Sequence, residues 1–134
     1  MRKAAITVLS CLGLAACATL ASPPPLPTAP EGSSGWLALG ETADMGPKIT
    51  PVSVLEDSRC ATGHQCVWAG RVVVLTKISL ADGTRESAVS FETGKPVPVA
   101  DGTVTLVAVI PEKTADATIA PADYRFAYRF DGGY

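Results

Sequence analysis

Apolar and polar positions alternate most clearly at Tyr124-Arg125-Phe126-Ala127-Tyr128-Arg129-Phe130. Aromatics hold every even position, and Arg, Ala, Arg every odd one. Period two with one apolar face describes a half-buried antiparallel strand. Half of the chain's eight aromatics fall in these seven residues, so this strand is expected to seal the core, with Phe126 and Phe130 inside. Thr103 to Ile110 reads as a second strand, with Val104, Leu106, Ala108 and Ile110 on one face. Arg71 to Leu80 is a third. It starts Val72-Val73-Val74-Leu75, apolar on both faces, which predicts a central position. Arg85 to Thr93 alternates less cleanly, with Val89 and Phe91 together. Ile49 to Leu55 and Trp36 to Leu39 are weaker strands, and Pro51 argues for an edge.

The punctuation between these runs agrees with them. Ala81-Asp82-Gly83 reads as a hairpin connection, and Asp101-Gly102 precedes the Thr103 strand. Ala115 to Asp123 has helix formers, but Ile119 and Pro121 limit it to at most one turn. No repeat is visible. The expected fold is all-β: a single small antiparallel sandwich or partly open barrel of about six or seven strands.

Length and charge narrow the function classes. The 134 residues make one domain at most, 47% hydrophobic and 18% charged, with net charge −2. A nucleic-acid partner held by phosphate neutralisation is not expected from such a chain. The single histidine, His64, limits both metal chemistry and acid–base catalysis.

The amino-terminal residues read as an address. Arg2 and Lys3 precede Ala4 to Ala16, thirteen residues without charge. A basic start and a short apolar core describe a secretory signal, and a transmembrane helix would need about 20 apolar residues. Overlapping its end, Leu14-Ala15-Ala16-Cys17 resembles the lipobox of bacterial lipoproteins. That resemblance implies a signal over 1–16 and lipidation of Cys17, with the thiol forming the thioether to diacylglycerol. Ala18 stands where inner-membrane-retained lipoproteins often carry Asp, which implies the outer membrane. The alternative is a soluble secreted protein cut at Ala16-Cys17-Ala18 as an Ala-x-Ala site.

Residues 17–35 then form a tether. Pro23-Pro24-Pro25, Pro27 and Pro30 give way to Glu31-Gly32-Ser33-Ser34-Gly35. A Pro-rich chain extends by about 3.1 Å per residue, which would hold a domain spanning 36–134 some tens of Å from the bilayer. Loss of Arg2 and Lys3 leaves a mildly acidic mature chain, so lipid rather than charge would be its link to the membrane.

The cysteine count fits this reading. Cys11 would leave with the signal and Cys17 would be consumed by lipid. Cys60 and Cys66 remain, an even pair in an oxidising compartment, and one disulfide is expected. Closing so short a ring contributes on the order of 2 kcal/mol. Gly63 can make the reversal between them, and Gly70 opens the long strand. We expect a pinned turn with the Trp68 indole packed beside the bridge. Asp57 can accept from backbone N–H groups there, and Arg59 can bond carbonyls or a carboxylate.

Asp57-Ser58-Arg59-Cys60, a short gap, then Cys66-Val67-Trp68-Ala69-Gly70 resembles the signature of a group of small bacterial lipoproteins and secreted proteins. Those proteins often have Pro after the first Cys, where this chain has Ala61. The similarity covers about fourteen residues, with a weaker echo in Asp123-Tyr124-Arg125. It implies an exported β-domain and transfers no catalytic residue.

Three function classes remain. The first is a non-enzymatic envelope module, without a cofactor, that binds a protein or glycan. Inhibitors of envelope enzymes belong here by fold-level analogy. The second is a copper or zinc site on Cys60, His64 and Cys66. Its Cys-x₃-His-x-Cys spacing leaves a structural zinc one ligand short. The third is an enzyme using Asp57, Ser58 and His64, although adjacent Asp and Ser seldom face one His. Glu56 and Asp57 should point to opposite faces of a strand and so could not act on one bond.

Overall fold

A computed structural model describes residues 21–80, 83, 85–115 and 117–132. The signal, the Leu14–Cys17 motif and Ala81-Asp82 of the expected hairpin lie outside the described residues. Seven strands are present among those described: β1 (Ala43–Asp44), β2 (Lys48–Asp57), β3 (Val72–Ser79), β4 (Glu86–Glu92), β5 (Pro96–Val99), β6 (Gly102–Ile110) and β7 (Arg125–Asp131). They form two antiparallel sheets, ordered β1-β2-β3-β4 and β5-β6-β7. The fold is an all-β sandwich and does not close into a barrel. Pro121–Asp123 makes a single 3₁₀ turn, within the one turn that Pro121 allows.

The core lies between the two inner faces. Ile49, Val72, Val74, Ile78 and Phe91 come from the first sheet. Val99, Val104, Leu106, Phe126 and Tyr128 come from the second. Strand β3 is central and alternates buried with half-buried residues along its whole length. At β7, Tyr124 just before the strand and Phe126 and Tyr128 within it are buried, and Phe130 packs against them half-buried, the face expected from the alternation.

Bulges account for the places where alternation fails. In β6 the pairing steps from Leu106↔Tyr128 to Ala108↔Ala127, which leaves Val107 extra. The phase flips, and Val109 packs on the core instead of the expected Ala108 and Ile110. In β2 the pairing skips Val52 and then Leu55. These unpaired residues are the exposed apolar side chains of that strand. Two phase changes cancel, so Asp57 returns to the inward parity of Ile49.

Pro51 sits at the first bulge, beyond the reach of the two-residue β1, and Gly40 N–H donates to its carbonyl at 2.7 Å. Strand β5, not expected from the sequence, has Pro96 and Pro98 at alternate positions. An outer strand tolerates that spacing, because every second N–H points away from the sheet. The weak Trp36–Leu39 run contributes one bridge, Leu37 to Phe126, on the outer edge of β7. Packing also reaches back before Trp36. Ser34 N–H donates to the Tyr128 carbonyl at 2.7 Å, and the Trp36 indole donates to the Pro27 carbonyl at 2.6 Å.

Candidate functional site

Residues 57–71 cross one end of the sandwich between β2 and β3. Their two ends are clamped together: Ser58 N–H donates to the Arg71 carbonyl at 2.8 Å, and Arg71 N–H donates to Ser58 Oγ at 3.1 Å. Gly70 has φ +69°, and a Cβ there would overlap the Ser58 carbonyl. Only glycine fits that approach. Cys60 and Cys66 are disulfide-bonded, with Cα atoms 5.9 Å apart. Gly63, at φ +83°, turns the ring, and His64 N–H closes the turn on the Ala61 carbonyl.

Asp57 is the hub of the inner side. Its carboxylate accepts from Arg59 Nε at 2.9 Å and Nη2 at 2.8 Å, a two-pronged pair. It also accepts from the Tyr124 hydroxyl at 2.8 Å and, weakly, from Arg59 N–H at 3.4 Å. Arg59 Nη1 continues to the carbonyls of Val109 and Pro111, and Lys113 Nζ donates to the Asp57 carbonyl. Both roles foreseen for Asp57 and Arg59 are therefore filled. The Arg59 guanidinium pulls the Asp57 carboxyl down to about 2 against the opposing effect of burial, and the Tyr124 hydroxyl adds to the lowering. Burial, then the bond to Asp57, pushes the Tyr124 phenol up to about 12.

A second ionic set lies on the outer side. Arg71 bonds Glu56 at 3.1 Å and Glu92 at 3.4 Å, and Lys95 bonds Glu92 at 2.8 Å. Ser58 Oγ donates to Glu56 at 2.9 Å. Glu56 and Asp57 thus serve separate networks, as opposite strand faces require.

Trp68 departs from expectation. Its indole is 80% exposed rather than packed on the bridge, and Val67 beside it is 87% exposed. The end of the sandwich is filled instead by Arg59, Asp57 and Tyr124, bonded to one another. Indole and bridge still share a groove of about 550 Å³, with Cys66 on its wall. On the inner side, a cavity of about 360 Å³ lies between Asp57, Tyr124, Lys113, Thr114 and Ile119.

The other candidate chemistries do not assemble here. With the disulfide formed, Cys60 and Cys66 offer no thiolate to accompany His64, and no metal-ligand cluster exists among the described residues. Ser58 is bonded to Glu56, and Asp57 to Arg59 and Tyr124, so Asp57, Ser58 and His64 form no relay. Sequence reasoning missed Lys113, Tyr124 and Glu92 as partners of the loop. Only the closing strand's odd-even pattern marked Tyr124, and it marked it as core.

Fold and site together define a small β-sandwich that carries a disulfide-closed, internally clamped loop with an exposed indole. No protein-family model, curated protein or solved structure matches the chain.

Proposed function

We propose that this chain is a lipid-anchored bacterial envelope lipoprotein whose β-domain is a non-enzymatic binding module, presented toward the periplasm or the cell surface. Leu14-Ala15-Ala16-Cys17 supports the anchor, with Cys17 as the lipidated residue and the outer membrane as its place. The Pro-rich segment supports a tethered domain. Its end docks on the domain, through Ser34 to the Tyr128 carbonyl and through Pro27 to the Trp36 indole, which leaves the chain before Pro27 as the spacer.

The binding role rests on one observation: Val67 and Trp68 are held out in solvent on a loop that is pinned at both ends. A flexible loop could fold its apolar groups onto the domain. This one is fixed by the bridge, by Gly70 and by the Ser58–Arg71 clamp. A rigid, solvent-facing aromatic is the kind of anchor that dominates recognition surfaces.

Two measurements test the reading. Cys17→Ser should move the protein from the detergent phase to the soluble envelope fraction. A photo-crosslinking residue at position 67 of the lipidated protein should give a discrete adduct in living cells, and one at Val52 should not. Unchanged partitioning of the serine variant would remove the anchor. Equal labelling from both positions would remove the binding surface.

A further inference from the structure

The groove beside Trp68 has a chemistry of its own. Its lining joins an indole and a disulfide sulfur, from Trp68 and Cys66, to the polar groups of Ser58, Arg71 and Glu92. The polar side is held in place before any ligand arrives, because Arg71 is fixed between Glu56 and Glu92 and Lys95 braces Glu92. The charged residues of the lining, Arg71 and Glu92, pair with each other, so the wall carries no net charge. An anionic or cationic ligand gains little from it.

A neutral molecule rich in hydroxyls gains more. Each paired carboxylate keeps lone pairs that can accept from a hydroxyl, and the guanidinium keeps N–H groups that can donate to one. The indole face is electron-rich and flat, and it suits the polarised C–H face of a pyranose ring. An acyl chain would use the aromatic and leave the polar wall unmatched. An anionic bilayer surface would call for unpaired basic residues around the indole, whereas Arg71 and Lys95 are both ion-paired.

We propose that this groove is a saccharide subsite, with the Trp68 indole as stacking platform and Ser58, Arg71 and Glu92 as the hydroxyl-binding wall. This rests on the binding-module reading and names its ligand class. Position explains the loop's construction: the disulfide and Gly70 fix the distance between platform and wall, so little ordering remains to oppose binding.

The test is titration of the detergent-solubilised full-length lipoprotein with chitotetraose and with cellotetraose, followed by indole emission and by calorimetry. Saturable binding to at least one is expected. Trp68→Ala should weaken it by roughly tenfold or more, Trp68→Phe should retain part of it, and Glu92→Gln should weaken it severalfold. All three variants should keep the parent's melting temperature within a few degrees, since the Trp68 side chain is exposed and glutamine at 92 keeps the shape and the hydrogen-bonding oxygen of glutamate. Absence of saturable binding to either oligosaccharide overturns the proposal, and so does binding that Trp68→Ala leaves unchanged. An emission shift with phosphatidylcholine vesicles, with none from the sugars, would also overturn it in favour of a membrane contact. A position-67 adduct in cells beside silent titrations would leave the binding module standing and remove only the saccharide.

Discussion

The Tyr128 hydroxyl lies 2.8 Å from Thr76 Oγ1, and both residues are fully buried. Tyr128 belongs to β7 and Thr76 to β3, so one hydrogen bond crosses the core and ties the two sheets together. Phe91 meets the Tyr128 ring edge-on at 5.7 Å. The pair also fixes the relative position of the sheets, because a polar atom buried without its partner costs about 1–3 kcal/mol. Tyr128→Phe should therefore destabilise the domain by about 1–2 kcal/mol, and Thr76→Val by a similar amount. The double variant should lose less than the two losses combined, because neither partner is then left unpaired. Urea melts of all four proteins measure this coupling. Strict additivity would mean that the contact contributes nothing.

The acid limb of stability should report Asp57. Its carboxyl sits at about 2 in the folded chain, against an ordinary value of 3.8. A depressed folded value stabilises the fold above the ordinary value and loses that contribution as pH falls. The domain should therefore lose about 1–2 kcal/mol between about pH 4 and pH 2. Asp57→Asn should flatten this limb. It should also cost about 1–3 kcal/mol near neutrality, because Arg59 would keep only its carbonyl partners. Tyr124 adds the opposite limb: its raised value gives stability that is full below pH 10 and is lost as pH rises through about 12. Chemical denaturation across pH, with and without the substitution, separates the two.

The β-architecture was legible because one face of each long strand is buried, and burial forces alternation. Phe126, Tyr128, Val72, Val74 and Phe91 all obey it. Legibility ended at the bulges. Val52, Leu55 and Val107 are extra residues that no period-two pattern announces, and each flips the face of the residues after it. The site was half legible. The even count and spacing of the two remaining cysteines, with an expected oxidising compartment, pointed to the Cys60–Cys66 bridge. Asp57 and Arg59 lie two residues apart, so their bond could be foreseen, but Tyr124 and Lys113 reach Asp57 from far along the chain. The exposure of Trp68 depends on the groups that already fill the end of the sandwich, and adjacency in sequence does not reveal them.

Ala100 offers a gain in stability. Val99 pairs with Gly102, so Ala100 and Asp101 form a two-residue turn, and Ala100 has φ 53°. Turns of this kind favour positive φ at their first residue, which Asn or Gly adopts more readily than Ala. Ala100→Asn should stabilise the domain by about 0.5–1 kcal/mol, with Ala100→Gly gaining less because its unfolded chain is freer. A thermal melt decides it, and a lower melting temperature for the Asn variant would contradict the turn geometry.

The loop should be less dependent on its bridge than its ring suggests. Closing the Cys60–Cys66 ring is worth on the order of 2 kcal/mol in chain entropy. Other bonds hold the same loop: Thr62 N–H to the Lys113 carbonyl at 2.9 Å, Cys60 N–H to the Ala69 carbonyl at 3.3 Å, and the Ser58–Arg71 clamp. Replacing both cysteines by alanine should therefore cost about 2 kcal/mol and leave the fold intact. Gly70→Ala should cost more, because its side chain must displace the Ser58 carbonyl and reopen the clamp at positive φ. The two variants should also differ in where they act. Amide exchange should rise around Gly63 and His64 on loss of the bridge, and around Ser58 and Arg71 on loss of the glycine. A glycine variant as stable as the parent, or identical exchange maps for the two, would show that Gly70 and the bridge do not hold separate parts of the loop.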